Sequence, residues 1–137
     1  MTDTKSLSIG NLAKQADVNI QTIRYYERRG LLPEPERTAS NYRIYAGDTV
    51  QRVRFIKCAQ ELGFTLTEIK ELLALRASPE SCCEDVRGRS KSKIRDIDDK
   101  IRTLEAMREA LSKLVRACSG KGPVTECPIL ESLDGEV

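Results

Sequence analysis

Apolar residues keep a helical period along most of this chain, with one interruption in its first half. Ile9, Leu12, Ala13 and Ala16 form a short amphipathic block, and Ser8 stands before it as an N-cap. The segment ADVN reads as a turn. Asn19 or Gln21 then opens a second block, IQTIRYYERRG, which Gly30 stops. Two short helices joined by a tight turn predict a helix-turn-helix. The following stretch, LLPEPERTASNYRIYAG, loses the period. Pro33, Pro35, Ser40 and Asn41 oppose a helix while Tyr42, Ile44 and Tyr45 favour strand, which predicts a small β-wing. Residues 48–62 return to helix through Val50, Val53, Phe55, Ile56, Ala59 and Leu62, and Gly63 ends it. Thr65 or Thr67 caps the next helix, with Glu68 in its first turn. That helix runs through Ile69, Leu72 and Leu73 to about Arg76.

The longest periodic stretch runs from Cys83 to Cys118. Ile97, Ile101, Leu104, Leu111, Val115 and Cys118 fall on the a and d positions of a heptad repeat, with Arg108 filling one slot. Charges of both signs lie between them, as on a solvated face. A narrow apolar seam on a lone helix asks for a partner helix. Cys83 and Cys118 are separated by five heptads and so share that face, but a straight helix holds them roughly 50 Å apart. In an antiparallel pair, Cys83 of one chain lies beside Cys118 of the other, which predicts a homodimer with a thiol cluster at each end. The expected fold class is all-α with a small β-wing. Residues 1–76 form a winged helix-turn-helix domain with following helices, 77–82 a hinge around Pro79, 83–118 a long antiparallel coiled-coil dimerisation helix, and 119–137 a loop and short turn.

Composition narrows the class. Of 137 residues, 32% are charged and 4% aromatic, with no Trp, so a large aromatic core is ruled out. No apolar run is long enough for a membrane span, and MTDTKSLSIG lacks the apolar centre of a signal peptide. A cytoplasmic protein without membrane contact is expected. Net charge is only +2, yet residues 1–60 hold ten basic and six acidic residues, while residues 119–137 hold one basic and four acidic. A basic front and an acidic tail suit a nucleic-acid contact at one end. On the second helix Thr22, Arg24, Tyr25 and Arg28 are the candidate DNA contacts, as a recognition helix requires. Arg29 adds a further donor, and Tyr26 is assigned to the core. The wing adds Arg37, Asn41, Tyr42, Arg43 and Tyr45, whose guanidinium, amide and phenol groups suit phosphate oxygens.

Taken together, IGNLAKQADVNIQTIRYYERRGLL and NYRIYAGDTVQRVRFIKCAQELGFTLTEIKELL resemble the mercury-resistance regulator (MerR) family of bacterial transcription factors. TIRYYE and YRIY carry the family resemblance, and the C-terminal cysteines carry the inducer. Cys83, Cys118 and Cys127, the last within CSGKGPVTECP, are similar in spacing to the three-thiolate set of the mercury sensors. Lead, cadmium and zinc sensors use a similar layout. The resemblance implies a homodimer on a dyad-symmetric operator, between promoter elements spaced too far apart for RNA polymerase. It also implies repression without metal, and activation through bending and untwisting of the DNA when metal binds.

The donor chemistry bears on the same question. Five cysteines and no histidine exclude a mixed Cys/His site, and thiolates select soft ions. Three thiolates fall short of the four that a structural zinc site wants. Hg(II) is therefore the expected inducer, with Pb(II), Cd(II) or Zn(II) as alternatives, because Cys82 beside Cys83 offers a fourth thiol. Cys58 is expected to be a small buried core residue. A thiol redox sensor and a metal-buffering protein remain as readings of other classes. The chain is not expected to be an enzyme.

Overall fold

Each of the first helices begins where the sequence supplies a cap. The protein was analysed as a computed structural model describing residues 6–135. Helix α1 (Ile9–Ala16) starts after Ser8, whose Oγ accepts the Asn11 N–H at 3.2 Å. It ends at Asp17 in the left-handed region, φ 57°. Helix α2 (Ile20–Arg28) starts after Asn19, whose Oδ1 accepts the Thr22 N–H at 2.8 Å. Gly30, at φ +74°, turns the chain out of it. Two short strands, β1 (Glu36–Arg37) and β2 (Arg43–Ile44), pair antiparallel in the register Glu36↔Ile44 and Arg37↔Arg43. Helices α3 (Thr49–Glu61) and α4 (Leu66–Ala77) follow. A capping box opens α4: Thr65 Oγ1 accepts the Glu68 N–H at 3.2 Å and Glu68 Oε1 accepts the Thr65 N–H at 2.8 Å. Such caps are worth about 1 kcal/mol each.

α3 packs against both α1 and α4, and α1 packs against α2. Leu12, Ile23, Leu31, Val53, Ile56 and Ile69 are fully buried there. The cations of α3 complete this packing. Arg54 Nη2 donates to the carbonyl of Gln15 at 2.7 Å, and Lys57 Nζ to that of Asp17 at 2.8 Å. Arg52 Nε donates to the carbonyl of Leu31 at 2.8 Å. Carbonyls at helix ends have no partner within the helix and carry partial negative charge, so a cation from a neighbouring helix serves both needs. Part of the basic excess that the sequence suggested for nucleic acid is therefore engaged on carbonyls of the fold itself.

Helix α5 runs unbroken over Cys83–Ala117, and a single 3₁₀ turn (Val124–Glu126) precedes α6 (Pro128–Leu133). The chain divides into two compact units, one reaching Ser90 and one starting at Lys91. The Ser78–Cys82 connection thus lies within the first unit. There Arg89 of α5 pairs with Glu71 of α4. In the second unit Ile97, Ile101, Leu104, Leu111 and Val115 are all exposed, by 38% to 63%. Leu104, Leu111 and Val115 line an open apolar groove with Leu133 of α6.

Several expectations are corrected. Cys58 is exposed on α3 and takes no part in the core. Its neighbours Ile56 and Ala59 hold the inward face of the helix. The last segment, expected as a turn, is helix α6, with Pro128 at its first position, where a missing N–H costs nothing. Cys118 lies one residue past the end of α5. Among the described residues no helix is long and apolar enough to cross a membrane.

Candidate nucleic-acid interface and thiolate site

The residues proposed from sequence to contact DNA fall into two groups in the first unit. Arg24, Tyr25 and Arg28 stand exposed on α2. The Tyr25 ring lies 6.4 Å from that of Tyr26, within the range of tilted aromatic pairs. Tyr26 is buried, and its hydroxyl donates to Gln60 Oε1 at 2.6 Å. Burial pushes the Tyr26 hydroxyl above its ordinary pKa, with the charge of Glu61 adding to the shift. Thr22 is half-buried, and its hydroxyl donates to Asn19 Oδ1 at 2.9 Å, which makes it part of the cap.

The wing tip is built around Thr38. Its N–H donates to the Tyr42 carbonyl at 2.8 Å, and its Oγ1 accepts the Tyr42 N–H at 3.0 Å. Asn41 takes the left-handed conformation at the tip, φ 68°, and Arg37 Nη1 donates to its carbonyl at 3.1 Å. Arg37, Asn41 and Tyr42 are exposed, Tyr42 by 73%. Arg43 is half-buried and faces Glu27, with its Nε 3.9 Å from Glu27 Oε2.

Tyr45 departs from expectation, being only 3% exposed. Its backbone pairs with Leu7 and its hydroxyl donates to Glu27 Oε1. Burial raises its pKa, with the hydrogen bond to Glu27 adding to the effect. The reason is strand geometry. Side chains two apart share a face, so Arg43 and Tyr45 both turn toward α2. Both converge on Glu27 of α2, which no local motif marks. The alternation of Arg43 and Tyr45 was the available signal, but it did not say which acid would meet them.

The thiols divide between the units. Cys82 and Cys83 are exposed where α5 begins, and Asp85 Oδ2 accepts the Cys82 N–H at 3.0 Å. Cys118 and Cys127 are half-buried in the second unit. Between them Gly120 and Gly122 adopt φ +77° and +99°, which lets the chain double back sharply. This return brings Cys127 close enough to Cys118 for one thiol to affect the ionisation of the other. The backbone N–H of Leu130 holds the Cys127 thiol below its ordinary pKa. The N–H of Ile129 and the Cys118 thiol act in the same direction, while partial burial and Glu131 oppose them. A pair of soft sulfurs, one of them readily ionised, suits a thiophilic ion. Among the described residues no three cysteine or acidic side chains gather into one metal-binding group.

Residues 7–75 match the family of MerR HTH regulatory proteins, and residues 50–114 match the family described as MerR, DNA binding. The chain belongs to the MerR family. A mercuric resistance operon regulatory protein of Bacillus cereus is 48% identical over 125 residues, covering 91% of this chain and 95% of that protein. Two solved structures of transcription regulators agree in fold. The lead(II) complex of PbrR691 from Ralstonia metallidurans is 40% identical, with a TM-score of 0.82, over 93% of this chain and 98% of that one. The mercury(II) complex of MerR from Bacillus megaterium is 42% identical, with a TM-score of 0.70, over the same shares. The family settles the class of the N-terminal unit as a DNA-binding module of a transcription regulator.

Proposed function

We propose that this chain is a metal-responsive transcription regulator that represses its promoter without metal and activates it on binding Hg(II). The observation that carries the reading is the Cys118–Cys127 thiol pair at the end of a helix whose apolar seam is exposed. A seam of this kind is covered by the same helix of a second copy. Since α5 is continuous over 35 residues, about 50 Å at the usual rise, its own Cys83 cannot complete the pair. Cys83 of the partner subunit in an antiparallel dimer is the third thiolate. Bound there, a soft ion supplies a link between helix end and loop that neither thiol makes alone.

The rest follows from the protein's own residues. Thr22, Arg24, Tyr25 and Arg28 meet one half-site from α2, while Arg37, Asn41, Tyr42 and Arg43 meet the flanking backbone from the wing. Tyr45 serves by holding the wing in place. When Cys118 and Cys127 are fastened to the partner's α5, the ends of the paired helices are fixed, and with them the set of the two DNA-binding units. The operator is bent and untwisted to follow, at a cost of several kcal/mol offset by contacts along both half-sites. Promoter elements then align for RNA polymerase. The protein works in the cytoplasm, where thiols stay reduced.

Pb(II), Cd(II) or Zn(II) as inducer is a second reading, favoured by Cys82 standing exposed beside Cys83 as a fourth sulfur donor. The deciding experiment is a competition titration of the protein–operator complex with the four ions, read by transcription from the promoter. Hg(II) is expected to act at the lowest free concentration. Response to another ion at lower concentration reassigns the inducer, and response to none removes metal sensing altogether.

A further inference from the structure

We propose that Glu27 is a positioning residue that holds Arg43 as a phosphate clamp, so that a negative charge on the recognition helix strengthens DNA binding. This inference rests on the DNA-binding reading above and concerns how that face is assembled.

The wing pairs Arg37 directly across from Arg43. Like charges opposite each other on a hairpin are destabilising, so the arrangement calls for counter-charge. Arg37 spends one nitrogen on the Asn41 carbonyl at the tip. Arg43 has Glu27 behind it, with Nε 3.9 Å from Oε2. Glu27 is itself fixed: its side chain is only 12% exposed, and its other oxygen accepts the hydroxyl of buried Tyr45. Glu27 also sits in the last turn of α2, between Arg24 and Arg28 on the same helix. One carboxylate therefore ties the wing strand to the end of the recognition helix. The terminal nitrogens of Arg43 make no hydrogen bond among the described residues, while its Nε faces the acid. With its Nε at ion-pair distance from Glu27 and its terminal nitrogens turned to no protein acceptor, the guanidinium is biased toward one orientation before DNA arrives. A pre-set fork of donors matches a phosphate better than a mobile cation does.

The sign of the effect makes the idea testable. Glu27→Gln removes a negative charge from a DNA-facing element, so charge alone predicts tighter binding. The clamp predicts weaker binding, because Arg43 loses its anchor. The measurement is affinity of the full-length protein for its operator duplex across a range of salt concentrations, beside nonspecific duplex. Glu27→Gln is expected to weaken operator binding by up to about tenfold. Arg43→Ala should weaken it comparably and lower the salt slope by about one. In the double variant the Glu27→Gln effect should vanish, since there is no Arg43 left to position. Arg43→Lys, which keeps the charge but lacks Nε, should bind nearly as poorly as Arg43→Ala. This second arm does not depend on how any Glu27 variant folds. Equal or tighter binding by Glu27→Gln, additive losses in the double variant, or wild-type affinity in Arg43→Lys overturns the clamp. If Arg24→Ala loses operator affinity while those outcomes hold, only the clamp fails. If the wild-type protein shows no preference for the operator, both readings fail.

Discussion

The two compact units solve the problem of burying apolar surface in opposite ways. Up to Ser90, six side chains from four helices and the turn after α2 are fully buried together, and the basic residues of α3 are engaged on carbonyls of neighbouring segments. From Lys91 onward the chain offers a heptad seam that stays open to solvent. The first unit closes on itself. The second leaves its apolar seam uncovered, and the half-buried thiols Cys118 and Cys127 follow the helix that carries it. In the proposed dimer, covering the seam and completing the thiol set are one event.

The largest test of this contrast is all-or-none. Neither a Cys83→Ala nor a Cys118→Ala homodimer should hold Hg(II) tightly. A mixed dimer of the two should recover about one ion per dimer, because one end then keeps every thiol. Metal stoichiometry on the isolated mixed dimer checks this. No recovery would mean that each site lies within a single chain, and the antiparallel arrangement would fall.

A core change and a seam change should separate next. Ile56→Ala is expected to cost about 2–5 kcal/mol by opening a cavity in the first unit. That loss should appear in denaturant melts at any protein concentration. Leu104→Glu with Leu111→Glu should leave the first unit folded, yet shift sedimentation to monomer and make metal binding fail.

Smaller effects distinguish the two uses of basic residues. Arg24→Ala should weaken operator binding by roughly 1–3 kcal/mol and leave thermal stability nearly unchanged. Arg54→Ala should do the reverse, costing about 1 kcal/mol of stability through the lost bond to Gln15 with little change in DNA salt dependence. If Arg54→Ala lowers the salt slope as Arg24→Ala does, the assignment of the α3 cations to carbonyls of the fold is wrong.

The smallest effect concerns pH. The Cys127 thiol is held below its ordinary pKa by the backbone at the start of α6. A group depressed in this way contributes stability above its unfolded pKa and loses that contribution as pH falls through the folded one. Its thiolate should therefore persist to lower pH than that of an ordinary cysteine. Alkylation rate against pH, with peptide mapping, should show Cys127 levelling off at lower pH than the same cysteine in the denatured chain.

Much of this protein was legible along the chain, because local rules governed it. Ser8, Asn19 and Thr65 cap the helices they precede, Gly30 turns out of α2, and the heptad seam lies on one uninterrupted helix. Caps and periods act over three or four residues, so the sequence alone determines them. The family resemblance rested on the same short-range signatures, and the comparison with known regulators shows it. Only the tertiary structure decided how charges and thiols are used. Arg52, Arg54 and Lys57 look like any basic stripe until the end of α1, its cap and the turn after α2 present carbonyls to them. Tyr45 reads as a phosphate donor until Glu27, eighteen residues away, takes its hydroxyl. Cys58 reads as core until its neighbours claim the inward face. A side chain's partner is set by packing between distant elements, and a one-dimensional pattern carries no record of which distant element arrives.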